Sequence, residues 1–453
     1  MAPATPFAAD TPALSPADTG FMLVCTALVM LMPPGLALFH GGMVRVESTL
    51  AMLMTSFVSL GVVTVLWVLY GFSLAFGTDT AGLIGWNPHW LGLSGIGRTD
   101  LWDGTTIPVL VFLVFQMMFA VLTPALISGA LADRVRFGAW ALFVTLWATV
   151  VCFPVAHWVW GAGGWAHRLG AIDFAGGTAV HVDAGAAALG VIPVTGRRAG
   201  FGTDPMRPHN LPLVMLGAGL PWFGWFGFNA GSRLGNSDGV GALMLVNTQI
   251  ATGAAALGRL AYEKLRHGAC TTLGAASGAV AGLVAITPSG GAVSPLGALA
   301  VGACAGVLCA LAVGLKYRLG YDDSLDVVGV HLVGGVLGSL LVGLLATGTG
   351  QSDVTGLFYG GGPGQFWKQC AGVLAVLAYP LAYSLAASAL LALLLDRTLG
   401  TRVSRETEES GIDGAEHAET AYGFRGAGGG ADHVPTAPDA PRAGRADTRK
   451  LTA

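Results

Sequence analysis

Long apolar stretches separated by short polar segments repeat along the chain up to about residue 400. A helix needs about 20 apolar residues to cross a bilayer. Eleven stretches are of this kind, at 21–44, 50–77, 106–131, 137–160, 174–196, 211–231, 238–260, 270–287, 295–316, 325–347 and 370–396. The pattern therefore predicts an all-α integral membrane protein with eleven transmembrane helices. It divides the chain into an N-terminal segment (1–20), a membrane domain (21–400) and a polar tail (401–453) that we expect to be disordered toward its end.

Composition agrees with this class. Of the 453 residues, 53% are hydrophobic and 11% are charged, whereas soluble domains carry about 25% charged residues. The net charge of −3 gives no electrostatic reason to expect a nucleic-acid partner. The six cysteines form no CxxC pair, so we predict neither a metal site nor a cofactor.

The distribution of Lys and Arg predicts the orientation. Eleven of them follow odd-numbered stretches, and four lie in the loops between. Cytoplasmic loops are the ones enriched in these residues. We therefore expect the N-terminus and segment 1–20 outside, and the C-terminus and tail in the cytoplasm.

Two histidine motifs indicate an internal repeat. GTAVHVDAGAAALG (177–190) and VVGVHLVGGVLGSL (327–340) each follow an aspartate, Asp173 or Asp326, and belong to the fifth and tenth stretches. FHGGMV after the first stretch likewise resembles FNAGSR after the sixth. Two halves of five helices must be inverted relative to each other. We thus predict a five-plus-five inverted repeat, typical of transporters, with one extra C-terminal helix.

The repeat places two histidines at matching depths. At 1.5 Å per helical residue, His181 and His331 each lie roughly 10 Å into the bilayer, from opposite faces. An ionisable residue inside a span indicates a functional site by default, although one histidine alone could simply bond to a neighbouring carbonyl. Two related histidines favour a pore near the membrane centre.

Several motifs resemble the ammonium transporter family, on the Amt side of the Amt/Rh superfamily. They are DFAGGTAVHVDAGAAALGVIPVTGRR, FHGGMVR, FQMMFAVLTPALISGALADRVRF, PHNLPLVMLGAGLPWFGWFGFNAGS and DDSLDVVGVH. The resemblance covers about 21–425. It implies a homotrimer in the inner or plasma membrane, with one channel per subunit that conducts ammonium or ammonia, and methylammonium as an analogue.

The resemblance also assigns roles to individual side chains. These are Trp160, Phe119, Ser232 and Asp173 for substrate recruitment at the outer mouth, Phe119 and Phe228 as a phenyl gate, and His181 and His331 as the paired pore histidines. Asp173 has two interpretations, a helix cap or a direct attraction for the cation.

Some positions depart from the family pattern. Asp183 stands where a small or amide residue is common, and we expect it to point away from the pore toward a neighbouring helix or subunit. His40 stands where tyrosine is frequent. For Trp225 we favour a packing role over a vestibule role. The tail stretch 411–424 resembles the segment beside which PII signal proteins dock.

Ammonium and potassium have similar sizes, so a pore cannot separate them by radius alone and must do so by chemistry. In the implied mechanism, aromatic faces and the Ser232 hydroxyl attract the ammonium cation, which then loses a proton. It crosses an apolar pore lined by the paired histidines as NH3, with or without a relayed proton. Three alternatives stay open: an ammonium sensor that signals through its tail, a Rhesus-type gas channel, and an intramembrane enzyme. No nucleophile motif or HExxH sequence supports the enzyme, so we predict no catalytic activity.

Overall fold

The computed structural model describes residues 13–169, 173–204, 206–348 and 355–423. Within these ranges, ten helical segments have the length and apolarity of a membrane span. The prediction of an all-α membrane protein is confirmed. The predicted disorder at the end of the tail concerns residues outside the described ranges.

Most helices follow one another closely, but a long connection that contains a β-hairpin separates α4 from α5. Several helical segments contain a π-helical turn. The α-helices are α1 Pro16–Met30, α2 Met32–Met43, α3 Thr49–Leu66, α4 Phe72–Phe76, α5 Val109–Ser128, α6 Phe137–Trp147, α7 Phe153–Trp160, α8 Trp165–Arg168, α9 Asp183–Thr195, α10 Leu211–Gly231, α11 Val240–His267, α12 Thr272–Ile286, α13 Pro295–Leu319, α14 Val333–Leu345, α15 Gly362–Thr398 and α16 Arg405–Ser410. The π-helical segments are Trp67–Gly71, Ala148–Cys152, Gly177–Val182, Val328–Leu332 and Asp413–His417. A small antiparallel hairpin joins β1 Thr78–Thr80 to β2 Ile84–Trp86, with Thr78 opposite Trp86.

Two predicted boundaries need correction or qualification. The first helix begins at Pro16 and not near residue 21, because the Ser15 side chain accepts the N–H of Asp18 and proline suits the first helical turn. The stretch predicted at 270–287 forms α12, which has 15 residues and is shorter than a usual span. An eleventh transmembrane helix therefore stays a prediction.

The aspartates of the two histidine motifs also need correction. The sequence comparison paired Asp173 with Asp326, but the structure relates Asp173 to Asp323. Asp323 precedes His331 by the same number of residues as Asp173 precedes His181. Each histidine lies in a π-helical turn at the start of its helix. This correspondence supports the predicted inverted repeat, which itself stays a prediction.

The side chains of Asp323 and Asp326 have different partners. The Asp323 carboxylate accepts the backbone N–H groups of Val327 and Val328 at 3.0 and 2.7 Å. Burial raises the pKa of Asp323 to about 6. Asp326 instead has a positive φ of 67° and pairs with Lys316. The nearest aspartate in sequence is thus not the one that begins the helix.

The first part of the tail packs against the membrane domain. We call the face that residues 401–417 contact the tail side. The Asp413 carboxylate accepts two backbone N–H groups at the start of α3, at 2.9 and 2.8 Å. The Glu416 carboxylate accepts the first N–H of α6 at 3.0 Å. Carboxylates are favoured at these positions because helix N-termini carry unpaired N–H groups and a partial positive charge.

The loops that follow α2, α5 and α9 lie on the tail side. Arg45, after α2, donates to the main-chain carbonyl of Glu408. Val135, after α5, forms an isolated β-bridge with Arg402. The N–H of Ala199, after α9, donates to the Glu408 carboxylate at 2.6 Å. Three of the loops that follow odd-numbered stretches therefore share one face, as alternating membrane crossings require.

A buried ion network ties these loops together. Arg134 is fully buried and donates to the carbonyls of Ala130 and Asp322, at 2.9 and 2.8 Å. Its Nη1 lies 3.5 Å from the Asp322 carboxylate, which also pairs with Arg198 at 2.8 Å. Burial lowers the pKa of Arg134 to about 10. Burial acts to raise the pKa of Asp322, but Arg198 and Arg134 hold it below its usual value.

Replacing Asp322 should destabilise the fold. In Asp322→Asn, two buried guanidinium groups lose their shared carboxylate, and breaking such a pair costs about 3–5 kcal/mol. We expect a clear drop in the melting temperature of the purified protein. Glu409→Gln, which breaks the exposed Arg405–Glu409 pair, should leave the melting temperature unchanged.

The pH dependence gives a second check. Because the folded protein holds the pKa of Asp322 low, the stability it contributes is present above the unfolded value of about 3.9 and is lost as the pH falls further. The difference between wild type and Asp322→Asn should therefore narrow below about pH 4. A constant difference across that range would contradict the assignment.

Candidate functional site

A row of aromatic rings leads into the protein from the side opposite the tail. The rings of Phe119 and Phe228 stack with centroids 4.1 Å apart and planes 23° apart. The Trp160 ring meets Phe119 edge-on at 5.8 Å. Phe119 and Phe228 are buried, whereas Trp160 is partly exposed. The Trp160 ring thus lies at the outer end of the row, the stacked pair lies deeper, and the row continues from Phe228 to His181.

Ser232 lies at the end of α10, one helical turn after Phe228, and bonds to that residue. Its hydroxyl donates to the main-chain carbonyl of Phe228 at 2.9 Å. That bond uses the only proton of the hydroxyl, so the oxygen lone pairs stay available as acceptors. Ser232 is partly exposed at the end of α10. The arrangement suits a group that accepts a hydrogen bond from a solute at the mouth.

Asp173 begins the helix that carries His181. One carboxylate oxygen accepts the N–H groups of Gly176 and Gly177, at 2.8 and 2.6 Å. The other accepts those of Thr178 and Ala179, at 2.8 and 3.0 Å. Burial raises the pKa of Asp173, and these four bonds oppose the rise. The geometry favours the helix-cap interpretation over direct attraction of a cation.

Asp173 also connects the helix start to the mouth. Trp160 Nε1 donates to the main-chain carbonyl of Asp173 at 3.2 Å. Gly176 has a positive φ of 107°, which glycine adopts without strain, and this lets the chain turn back beneath the carboxylate. The position of the Trp160 ring therefore depends on the cap.

The two histidines meet at the inner end of the row. The Nδ1 atoms of His181 and His331 are 3.3 Å apart, and both rings are buried. Since each Nδ1 faces the other, one proton lies between them, and one ring donates while the other accepts. His181 Nε2 has no hydrogen-bond partner among the described residues. The predicted pairing of these residues agrees with this geometry.

Trp225 has a closer relation to the site than the sequence suggested. Its ring stacks on His181 with centroids 5.3 Å apart, and its Nε1 donates to Thr287 Oγ1 at 2.8 Å. These contacts favour the packing interpretation of Trp225, and they show that its ring packs directly against His181. The aromatic cluster on α10 was visible in the sequence, whereas the direction of this ring was not.

Asp183 lies away from the histidine pair. Its main-chain carbonyl accepts the Ser384 hydroxyl of α15 at 2.9 Å, so the backbone at Asp183 contacts a neighbouring helix, while the predicted contact of its side chain stays a prediction. The side chain is fully buried, and its two oxygens have no hydrogen-bond partner in the described part of the chain. We have no physical account of this carboxyl group.

Comparison with known proteins identifies similar chains. The sequence model of the Ammonium Transporter Family matches residues 20–422. An ammonium transporter of Mycobacterium tuberculosis is 56% identical over 425 residues, which cover 87% of this chain and 88% of that protein. The crystal structure of Mep2 from Saccharomyces cerevisiae superposes with a TM-score of 0.78 at 32% identity, over 87% and 92% of the two chains. A structure named as a sensor Amt protein gives a TM-score of 0.79 at 28% identity, over 88% and 98%.

The cap role of Asp173 predicts a large loss of stability in Asp173→Ala. That change leaves four buried N–H groups without their acceptor, so the cost should exceed the ~1 kcal/mol typical of a single N-cap. Ser294→Ala, which removes one such bond to Gly297, is the matched control. Thermal unfolding of both purified variants measures the difference, and equal melting temperatures would contradict the cap role.

Proposed function

This chain belongs to the ammonium transporter family, and from that premise we propose how its substrate crosses. The family consists of membrane transporters and not enzymes, so the activity to explain is movement of ammonium across a bilayer. We propose that NH4+ is recruited at Trp160, Phe119 and Ser232, loses a proton at the phenyl gate, and passes His181 and His331 as NH3. The observation that carries this proposal is the unbroken row from the Trp160 ring to the histidine pair.

Recruitment rests on chemistry that potassium cannot share. The faces of Trp160 and Phe119 attract any cation, by about 0.5–2 kcal/mol each. Ser232 has free oxygen lone pairs, which can accept an N–H bond that only ammonium donates. The mouth thus favours ammonium over potassium by a modest amount.

Deprotonation supplies the larger part of the selectivity. Beyond Phe119 the path is lined by buried aromatic rings, where an unpaired ion loses its hydration without compensation. Potassium cannot shed its charge, whereas ammonium becomes neutral when one N–H bond breaks. The neutral NH3 then crosses a lining that rejects ions.

The histidine pair offers a route for the released proton. When His181 Nδ1 carries the shared proton, its Nε2 has a lone pair that can accept another. The shared proton then moves to His331 Nδ1, and the proton on His331 Nε2 departs on the tail side. One proton enters at His181 and one leaves from His331, so the histidine pair returns to its original net charge. Because one positive charge crosses with each NH3, the transport produces a current.

Sensing is a second candidate function. The likeness to the sensor Amt structure and the packing of the tail against α3 and α6 favour it. The tail is bound to the N-termini of α3 and α6. A movement of these helices when ammonium binds at the pore mouth would therefore change the position of the tail. This role is compatible with transport by the same pore.

The remaining proposals concern assembly and location. We propose a homotrimer in the inner or plasma membrane, as in the family. We also propose that the tail side faces the cytoplasm, because the tail-side loops carry most of the Lys and Arg residues of the loops. A cavity of about 880 Å³ opens on that side between charged residues such as Arg45, Lys316 and Glu408. We propose this surface as the place where a PII-type signal protein docks.

The first experiment measures charge movement. Proteoliposomes containing the purified protein receive an ammonium pulse on a solid-supported membrane, and a potassium pulse serves as control. We expect a saturable current with ammonium alone. Internal alkalinisation without current would indicate a neutral, Rhesus-type gas channel and would contradict the proton route.

The proposed role of the histidine pair predicts a loss of ammonium current when both histidines are replaced. In the double variant with His181→Leu and His331→Leu, the ammonium current should fall by at least about tenfold, equivalent to ~1.4 kcal/mol in the barrier, or should lose its selectivity against potassium. His209→Gln, a half-buried histidine outside the row, should keep the wild-type current. An unchanged, ammonium-selective current in the double variant would exclude both histidines from the path.

A further inference from the structure

A third histidine lies within the membrane domain on the tail side of the histidine pair. His40 belongs to α2, and only 2% of its surface is exposed. Its Nδ1 is buried and has no hydrogen-bond partner among the described residues. Burying an imidazole nitrogen without a partner costs free energy, and an apolar residue of similar size would avoid that cost. The position of His40 therefore calls for a functional explanation.

The His40 ring lies beside the turn that follows α5 and near the segment that precedes His331. A Cβ built on Gly129, just after α5, would lie 2.7 Å from Cε1 and 2.8 Å from Nε2 of His40. The same Cβ would lie 2.9 Å from Cγ2 of Val327. Val327 precedes His331 by one helical turn, so the His40 ring lies near the start of the π-helical segment that carries His331. His40 thus lies on the tail side of the histidine pair.

The neighbours of His40 continue to the tail-side cavity. Met43, one turn further along α2, lines this cavity, as does Leu325. The N–H of Leu325 donates to the carbonyl of Gly129 at 3.0 Å, so the cavity wall and the glycine beneath the His40 ring are directly bonded. His40 therefore lies between the histidine pair and the water of the cavity.

We propose that His40 is a third pore histidine, which accepts the proton that leaves His331 and releases it to the tail-side cavity. This inference rests on the proposed function. In the step itself, the N–H bond at His331 Nε2 breaks and an N–H bond forms on the His40 ring, directly or through one water molecule. The proton then passes to water in the cavity, which returns His40 to its neutral form.

The proposal explains why the side chain is an imidazole. The histidine pair can receive a proton on one side only if the other side can give one up, and an apolar inner pore offers no acceptor. A ring nitrogen without a partner is such an acceptor. In the predicted inverted repeat, Phe39 beside His40 corresponds to Phe228 beside the outer end of the histidine pair, so an aromatic ring flanks each end of the route.

The test uses two substitutions of His40 in the full-length protein. His40→Phe keeps an aromatic ring without nitrogen, and His40→Gln keeps hydrogen bonding but cannot carry a proton at neutral pH. We measure the ammonium-evoked current, the internal alkalinisation caused by ammonia entry, and the melting temperature. His209→Gln serves as a tail-side histidine control.

We expect both His40 variants to lose current by about a hundredfold, within the range for a positioned proton-transfer group, while alkalinisation and melting temperature persist. Wild-type current in His40→Gln would overturn the proposal. A parallel loss of current and melting temperature in both variants would also overturn it, because His40 would then be structural.

The same assay separates this inference from the proposed function. If the wild type carries ammonium current and the double pore-histidine variant does not, but the His40 variants are normal, only the third histidine is excluded. If the wild type alkalinises the liposomes without current, the proton route fails as a whole, and His40 fails with it.

Discussion

The site depends on how two carboxylates satisfy buried backbone N–H groups. A helix that begins inside a membrane domain exposes N–H groups that water cannot reach. Asp173 takes four of them and Asp323 takes two. Burial raises the pKa of both side chains, so each cap is costly. Because each carboxylate fixes its helix start, it also fixes the depth of the histidine eight positions later, and the two Nδ1 atoms meet at 3.3 Å.

The charged residues of the described chain are concentrated away from this row. Arg134, Arg198 and Asp322 form a buried network on the tail side, and the tail adds carboxylates at the starts of α3 and α6. Each contact joins loops that are distant in sequence, so the network sets how the helices that carry the site are spaced. The row itself contains aromatic rings and two histidines in contact with one another.

The sequence alone predicted the parts that depend on local pattern. Apolar length located the membrane helices, and motif resemblance proposed the side chains from Trp160 to His331 that the structure brings close together. The sequence-based predictions were incomplete where the outcome depends on the direction in which a side chain points in the folded protein. Asp326 was chosen as the nearest aspartate, although only Asp323 has the spacing that caps the helix. Trp225 stacks on His181 because of the rotation of α10, which no periodicity records.

The direction of His40 has a similar origin. The first span is interrupted at Leu31, two residues before Pro33, as the proline pair predicts. The side chain directions of α2 therefore follow from its packing on other helices. Close approaches to α10 fix the opposite face of α2, since a Cβ on Gly42 would lie 2.8 Å from the backbone nitrogen of Val214. With that face against α10, the His40 ring is turned toward Gly129, and this orientation is what allows the proposed role of His40 as a proton acceptor.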